Sequence, residues 1–473
     1  MIREQMSESN HRLGKHAIVI GGSMCGLLTA RVLSQYFQQV TIIERDALSE
    51  NAEPRKGVPQ GQHVHVMFGG GMRVVDRLFP GFSDELAANG SVVCDFSNDL
   101  CWYHAGVWKA RPKSDLTSYW QTRPFLESNL RRRLKSETDI RILDSSGVVG
   151  LLTSPDQTRI TGVEIRSGED NGKTEKMEAD LVIDASGRGS QTPKWLESIG
   201  YERPEETTVE VNIGYASRMY EPKPDDSRDW QIMALYGTPL NSTRTGYIFP
   251  IEGGRWLVSE VGFLKDYPPD NDEGYLEFAR SLELPDFYEA IKDATPLTPI
   301  STFKFPANRW RRYDQLSRFP SGLLVIGDAI STFNPVYGQG MSAGALEVEE
   351  LRLLLEGCQG RSDIPDDLYK KFFRQAAKII DVPWMLATQS DFLYPQTSGK
   401  RPLHSTPLNW YLVRVLKLCS GNERIVKTFY EVLHFIKKPS AFFHPLIFFP
   451  VLLRTIGFKG SYRPSKQRPN LTN

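Results

Sequence analysis

Gly21-Gly22-Ser23-Met24-Cys25-Gly26 stands between an apolar run of buried-strand type, Ala17 to Ile20, and a segment of helical composition, Leu27 to Phe37. A second apolar run, Val40 to Ile43, ends on Glu44, eighteen residues beyond Gly26. These residue types in this order can hold a nucleotide. Gly21 permits a tight turn, Gly26 lets helix and strand approach, and free amides at the helix start favour an anion such as pyrophosphate. A carboxylate at the second strand's end, here Glu44, accepts hydrogen bonds from ribose hydroxyls. Ser23 takes the place of the middle glycine of the dinucleotide fingerprint, the mildest departure from it.

A second constellation, GDAISTFNPVYGQGM at 327–341, follows the apolar run LLVI and leads into the helical-type segment SAGALEVEELRLLLEG. Its glycines and proline suit close approach of backbone to a ligand. A pyridine nucleotide has no evident use for a second glycine-rich crossing three hundred residues after the first; the ribityl chain and isoalloxazine of FAD extend far enough to need one. Asp328 is placed to bond ribityl hydroxyls. The turn through Pro335, Gly338 and Gly340 offers amides to the pyrimidine edge of the ring, where they would stabilise negative charge.

These motifs must be carried by strand-to-helix junctions. The first βαβ unit spans about thirty residues. A loop rich in Gly, Pro, Arg and His, RKGVPQGQHVH (55–65), follows it; a helix is expected at Phe125–Leu134, and strands near Ile140–Leu143 and Gly162–Ile165. Between 200 and 310, alternating runs such as WQIMALYG, TGYIFPI and RWLVSEVGF predict an antiparallel sheet. From about residue 345 the pattern is largely helical. The expected fold is mixed α/β: a Rossmann-like FAD-binding domain from 11–88, 118–190 and 318–375, an inserted antiparallel substrate-binding sheet domain from 89–117 and 191–317, and a helical C-terminal region from 376–473.

Composition narrows the function classes. The 473 residues carry no net formal charge, so no global field recruits nucleic acid, and Arg131-Arg132-Arg133 is read as a solvated helix face. Five scattered cysteines without C-x-x-C spacing argue against a zinc site or disulfide framework. Cys25 is read as a small packing element, and His63 and His65 as hydrogen-bonding residues rather than metal ligands; no metal is expected. The polar N-terminus lacks a signal-peptide core, so a cytoplasmic location is expected. AFFHPLIFFPVLLRTIGF near the C-terminus is too short and proline-broken to span a bilayer. It is expected to dock on the body, with weak membrane-surface association as the alternative, the basic residues Lys459, Arg463, Lys466 and Arg468 lying nearby.

The set GGSMCG with Glu44-Arg45, DASGRGS (184–190) and GDAISTFNPVYGQGM resembles the FAD-dependent monooxygenases of the para-hydroxybenzoate hydroxylase type. More narrowly, RKGVPQGQHVH, TRPFLE and FNPVYGQGM resemble the branch containing the bacterial polyether epoxidases. The resemblance implies that Gly21, Gly22, Ser23, Gly26, Glu44 and Arg45 bind the ADP half of FAD, with Val148 or Val149 against adenine. It places Arg123 near the phosphate and ribityl, Gly327 and Asp328 on the ribityl, and Arg55 and Val58 in a loop covering the cofactor. Asp184, Gly187, Pro335, Gly338, Gly340 and Met341 complete the expected cofactor site. DASG departs from a stricter D-G-x-x-S, which weakens Asp184 and Gly187.

The implied reaction is transfer of one oxygen atom from dioxygen through a flavin C4a-hydroperoxide to a lipophilic substrate. No His/Asp/Tyr set stands out as the base a phenol requires, which favours epoxidation of an alkene, of the polyketide or terpenoid kind by resemblance. Phe333, Asn334 and Pro335 are the candidate wall over the ring; Tyr236, Tyr247 and Phe249, with Tyr215 and Trp256, are candidates for the substrate pocket. Electrons are expected from NAD(P)H, directly or through a separate flavin reductase. Aromatic hydroxylation, halogenation, saturation of isoprenoid double bonds and a non-catalytic flavoprotein remain open, although the halogenase motif W-x-W-x-I-P is absent.

Overall fold

In the computed structural model, which describes residues 12–168, 173–223, 228–403 and 405–455, five parallel strands form the first sheet. Their spatial order is Leu323–Val325, Leu181–Asp184, Gly14–Ile20, Phe37–Ile43, Arg141–Leu143. Near-continuous aliphatic runs fit strands covered on both faces: Ala17, Ile18 and Val19 are fully buried. The carboxyl ends of the central strands point at one crevice, where open α/β sheets bind ligands.

The first helix is Met24–Leu33, not Leu27–Phe37. It starts directly on the glycine turn and ends early because the Tyr36 amide folds back to the Leu33 carbonyl, releasing Phe37 into the next strand. The helix expected at 125–134 runs Arg123–Glu137; the Thr122 side chain caps it by accepting from the Phe125 amide, and Pro124 suits its first turn. Thr122 also donates through its amide and hydroxyl to the Glu252 carboxylate (2.8 and 2.7 Å), tying this helix to a loop of the second sheet. Arg131 corrects the reading of its run as a solvated face: it is buried and donates to the Ser49 carbonyl, while Arg133 pairs with Glu85 and Glu137.

The second sheet is built on Glu206–Glu221, Arg244–Ile251, Arg255–Gly262 and Ser301–Arg311, paired antiparallel. One junction differs from expectation: Ile232–Tyr236 pairs parallel with Leu100–His104. The chain enters this sheet once before returning to the first, so that strand runs alongside rather than through a hairpin. An unforeseen strand, Ser146–Thr153, pairs antiparallel with Ile160–Ser167, and Ser398–Gly399 adds to the Glu206–Glu221 strand from within the otherwise helical C-terminal part. That part comprises Leu368–Asp391, Ser405–Leu418, Glu423–Leu433 and Pro445–Thr455. The polar N-terminal residues 1–11 and the basic tail with Lys459, Arg463, Lys466 and Arg468 lie outside the described residues. Among the described residues no helix is long and apolar enough to cross a membrane.

On the sheet face away from the crevice, Glu260 is fully buried, and neither of its carboxylate oxygens has a hydrogen-bond partner. Its cross-strand neighbours Ala216 and Gly246 share that face, where Gly246 lies against Phe287 and Leu282. Burial pushes its carboxyl well above the usual range, only partly offset by Arg244. A raised acid contributes full stability below its unfolded pKa and loses it as pH rises toward the folded value. Thermal stability of the native chain should therefore fall as pH rises above about 4.5, the ordinary glutamate value, and Glu260→Gln should flatten that slope while raising the melting temperature at neutral pH. Melting curves of both proteins against pH check this.

Candidate active site

A cavity of about 600 Å³ runs from the first glycine turn to the helical C-terminal part. One end is bordered by Gly21, Ser23, Glu44, Arg45 and Ser146 to Val148. Its middle is walled by Arg55, Val58, Arg123, Gly187 and Asp328, and by the turn from Phe333 through Pro335, Gly338 and Gly340 to Met341. Its far end is aromatic and apolar: Trp102, Tyr236, Tyr247, Phe249, Leu412 and Phe429 are among the walls.

Close backbone contacts make the two glycine crossings possible. Gly21 has φ +105°, and a Cβ on Gly26 would stand 1.9 Å from the Gly21 carbonyl oxygen. Gly327, at φ +64°, and Gly344 both press on Cys25, whose Sγ would lie 2.2 Å from a Cβ on Gly344. Cys25 is thus a spacer between the crossings. Burial pushes its thiol far up, with Glu347 and Asp328 adding to the effect, so it is no thiolate nucleophile. The Gly327 amide donates to Glu347 (2.8 Å). Gly22, Gly26 and Gly327 do not border the cavity; they set its edges.

The charges form one buried cluster. Glu44 accepts from the Gly22 amide (2.8 Å) and the Asp46 amide (3.0 Å) and pairs with Arg55 (2.9 Å). Arg55 continues to Glu127 (3.0 Å), which also pairs with Arg123 (2.9 Å) and accepts from Ser23 Oγ (2.5 Å); Arg123 in turn donates to that same Oγ (2.8 Å). Ser23, the departure from the glycine fingerprint, is therefore a hinge between the phosphate turn and two guanidinium groups. Glu127 lay in the quoted TRPFLE segment and was missed, because only its position one turn after Arg123 could have flagged it. Burial alone would raise its carboxyl, but Arg123 and Arg55 outweigh it and hold the group at about 2.

Several expected residues sit elsewhere. Asp184 is fully buried and does not reach the cavity; it accepts from Ser186, Ser190 and Thr192 and so ties down the turn that carries Gly187. Val148 borders the cavity and Val149, at a register shift between Val148 and Gly150, does not. Trp256 also points away, packed against Trp230 on the opposite face. Asn334 borders the cavity, but its amide donates to Asp391 (2.7 Å) and its carbonyl accepts from the Val336 amide (3.1 Å). Asp391 also takes hydrogen bonds from Asn308 (2.7 Å) and the Tyr337 hydroxyl (3.0 Å), which pins the 333–341 turn from behind. Burial raises the Asp391 carboxyl to about 6 against those three donors. It lies fifty-seven residues from Asn334 in sequence, and nothing local could reveal the pairing.

The residues present suit FAD. The glycine turn leaves room for a pyrophosphate, Arg123 supplies a forked cation beside it, and the Asp328 carboxylate is exposed on the cavity wall. Gln339 borders the cavity at the start of the Gly340–Glu356 helix, and both polar atoms of its buried amide lack partners, as expected of a group that faces a polar cofactor edge. His63 and His65 also line the wall; the His63 ring bonds Ser217 (2.7 Å), and burial lowers the two to about 4 and about 3.

A parallel sheet whose crevice holds two glycine crossings and an arginine-bracketed acid cluster fits a flavoprotein that holds FAD. The profile described as FAD binding domain matches residues 15–355, and the chain belongs to that family. It is 35% identical to Protein Rv3254 of Mycobacterium tuberculosis, over 81% of this chain and 82% of that one. It is 25% identical to squalene monooxygenase of Mus musculus, over 74% of this chain but only 55% of that enzyme. Among solved structures, the flavin-dependent brominase Bmp2 superposes with a TM-score of 0.64 at 11% identity, over 94% of this chain and 99% of that one, a likeness of fold.

Removing the Glu127 side chain leaves the Arg123 guanidinium without its acid partner and Arg55 with only Glu44 and Asp46, so Glu127→Ala should lose about 3 kcal/mol of stability in urea unfolding at neutral pH. A depressed acid contributes above its unfolded pKa and loses that contribution as pH falls through the folded one. The gap between variant and native chain should therefore close as pH drops from about 4.5 to about 2.

Proposed function

We propose that the protein uses FAD and dioxygen to insert one oxygen atom into a lipophilic substrate, with epoxidation of a polyketide or terpenoid alkene as the reaction. The observation that carries this reading is the aromatic far end of the cavity and the neutral state of its ionisable groups. Burial lowers His63, His65 and His104 and raises Tyr236 and Tyr247. None is set as a base strong enough to deprotonate a phenol at neutral pH, whereas an alkene needs no deprotonation to accept electrophilic oxygen. Similarity to a squalene monooxygenase supports a lipophilic substrate.

Gly21, Ser23, Glu44, Arg45 and Arg123, which line one end and the middle of the cavity, would hold the adenosine and pyrophosphate part of FAD, with Val148 by the adenine and Asp328 at the ribityl chain. Bound FAD supplies activation of dioxygen and delivery of the electrophilic oxygen. Amides of the Gly338–Met341 turn would stabilise negative charge on the ring's pyrimidine edge. Phe333 and Pro335 wall the reacting face, while the Asp391 network keeps their turn rigid. Tyr236 and Tyr247 both donate to the Val336 carbonyl (2.8 and 3.3 Å), which turns their hydroxyls away from the substrate and leaves ring faces to orient it. Trp102, Phe249 and Phe429 exclude water, which protects the reactive oxygen from loss. Electrons come from NAD(P)H, either at this chain or through a flavin reductase.

Incubation of the reduced holoprotein with squalene and with a simple phenol as probes, under heavy-isotope dioxygen, should label the alkene with one oxygen atom and leave the phenol unchanged. Labelling of the phenol alone, hydrogen gain or chloride-dependent halogen incorporation would each overturn the reading. In stopped flow, mixing oxidised holoprotein with NADPH should bleach the flavin band; bleaching only after a flavin reductase is added assigns the donor step to a partner.

A further inference from the structure

The Pro445–Thr455 helix has two unlike faces. Ile447 and Val451, four residues apart, are 2% and 1% exposed and belong to the core that also holds Tyr411 and Val415. Leu446, Phe448, Phe449, Leu452 and Leu453 are between 40% and 56% exposed on the other side. Phe443 and Trp410 extend this surface: both are exposed, and Phe443 and Phe448 pack on Tyr411 with ring centroids 5.0 and 6.1 Å away. Isolated exposed apolar side chains are ordinary, but a contiguous aromatic and leucine patch marks an interaction surface.

Two further features identify what covers it. The first is charge. From His434 to Asn473 the sequence has no Asp or Glu and seven cations: Lys437, Lys438, Arg454, Lys459, Arg463, Lys466 and Arg468. The whole chain is neutral, so this concentration is local. An apolar helix face lying within a stretch of sequence rich in cations and without acids matches the boundary of an anionic lipid leaflet, where aromatic and leucine side chains enter the acyl region and cations meet headgroups; of these cations Lys437 is paired with Glu431 (2.6 Å), just before that stretch. The second is continuity with the cavity. Phe442 borders the cavity while its neighbour Phe443 is exposed, and Leu412 borders it two residues from exposed Trp410. The same elements wall the apolar end on one side and form the exposed patch on the other.

We infer that the Trp410, Phe443 and Pro445–Thr455 surface seats the protein on an anionic membrane and sets the apolar end of its cavity against the lipid. The inference gains its purpose from the lipophilic substrate proposed above, but binding to lipid is read without turnover, so the two stand or fall separately.

Flotation of purified holoprotein with phosphatidylcholine vesicles, with and without phosphatidylglycerol, tests it. The native chain should float with the anionic vesicles, more weakly in high salt. The double substitution Phe449→Ser and Leu452→Ser, both at exposed positions, should reduce the bound fraction at least about tenfold while FAD content and melting temperature stay unchanged. Failure to bind anionic vesicles, or equal binding by the variant, would overturn the inference. So would self-association of the lipid-free chain that the same variant abolishes in sedimentation, since the patch would then be covered by a second copy.

Discussion

Absence of side-chain volume at a few glycines decides where everything else lies. Gly26 can sit against the Gly21 carbonyl, and Gly344 and Gly327 against Cys25, only because no Cβ stands between them. These contacts draw two strand-to-helix crossings, separated by about three hundred residues of sequence, onto neighbouring parts of one parallel sheet. Packed interiors have no slack to absorb an added carbon at such distances. Both helix starts consequently face one crevice, and one long cofactor can be held at both ends.

The charged cluster rests on that geometry. Arg55 and Arg123 would each be costly to bury alone; Glu127 and Glu44 make their burial tolerable, and Ser23 and the Gly22 amide satisfy further oxygen lone pairs. On the other side of the cavity the same logic runs through one carboxyl and uncharged donors. Asp391 gathers Asn308, Asn334 and Tyr337 behind the turn that borders the cavity, and that turn also buries Phe333 and Val336 in the flanking apolar clusters. The aromatic end has no comparable charge network; its titratable side chains stay neutral, which suits oxygen transfer to a hydrocarbon.

The helical C-terminal part closes this aromatic end and carries the exposed apolar face. Residues that complete the cavity wall, Leu412, Phe429 and Phe442, therefore lie a single layer of protein away from Trp410, Phe443 and Phe449. Were the exposed face to rest on a membrane as inferred above, substrate selection and location would be linked through this one part of the chain.

Glycine motifs and aliphatic runs are local signals, and they sufficed for the first βαβ unit, the class of fold and the cofactor, because a tight turn and a buried strand each need specific residues at adjacent positions. Gly21, Glu44 and Asp328, all of which line the cavity, stand at such signals, whereas Arg123, which also lines it, came from the resemblance of TRPFLE. Pairings between distant segments carry no local signature. Tertiary structure alone paired Ile232–Tyr236 in parallel with Leu100–His104, sent Asp184 into a serine and threonine knot, faced Val148 rather than Val149 inward, and joined Glu127 to two arginines and Asp391 to Asn334. Amino-acid types determine which groups can bind a nucleotide or an oxygen acceptor; the packing of remote strands and helices decides which of them meet, because hydrogen bonds and ion pairs act only across a few ångströms and the chain must first be brought to that distance.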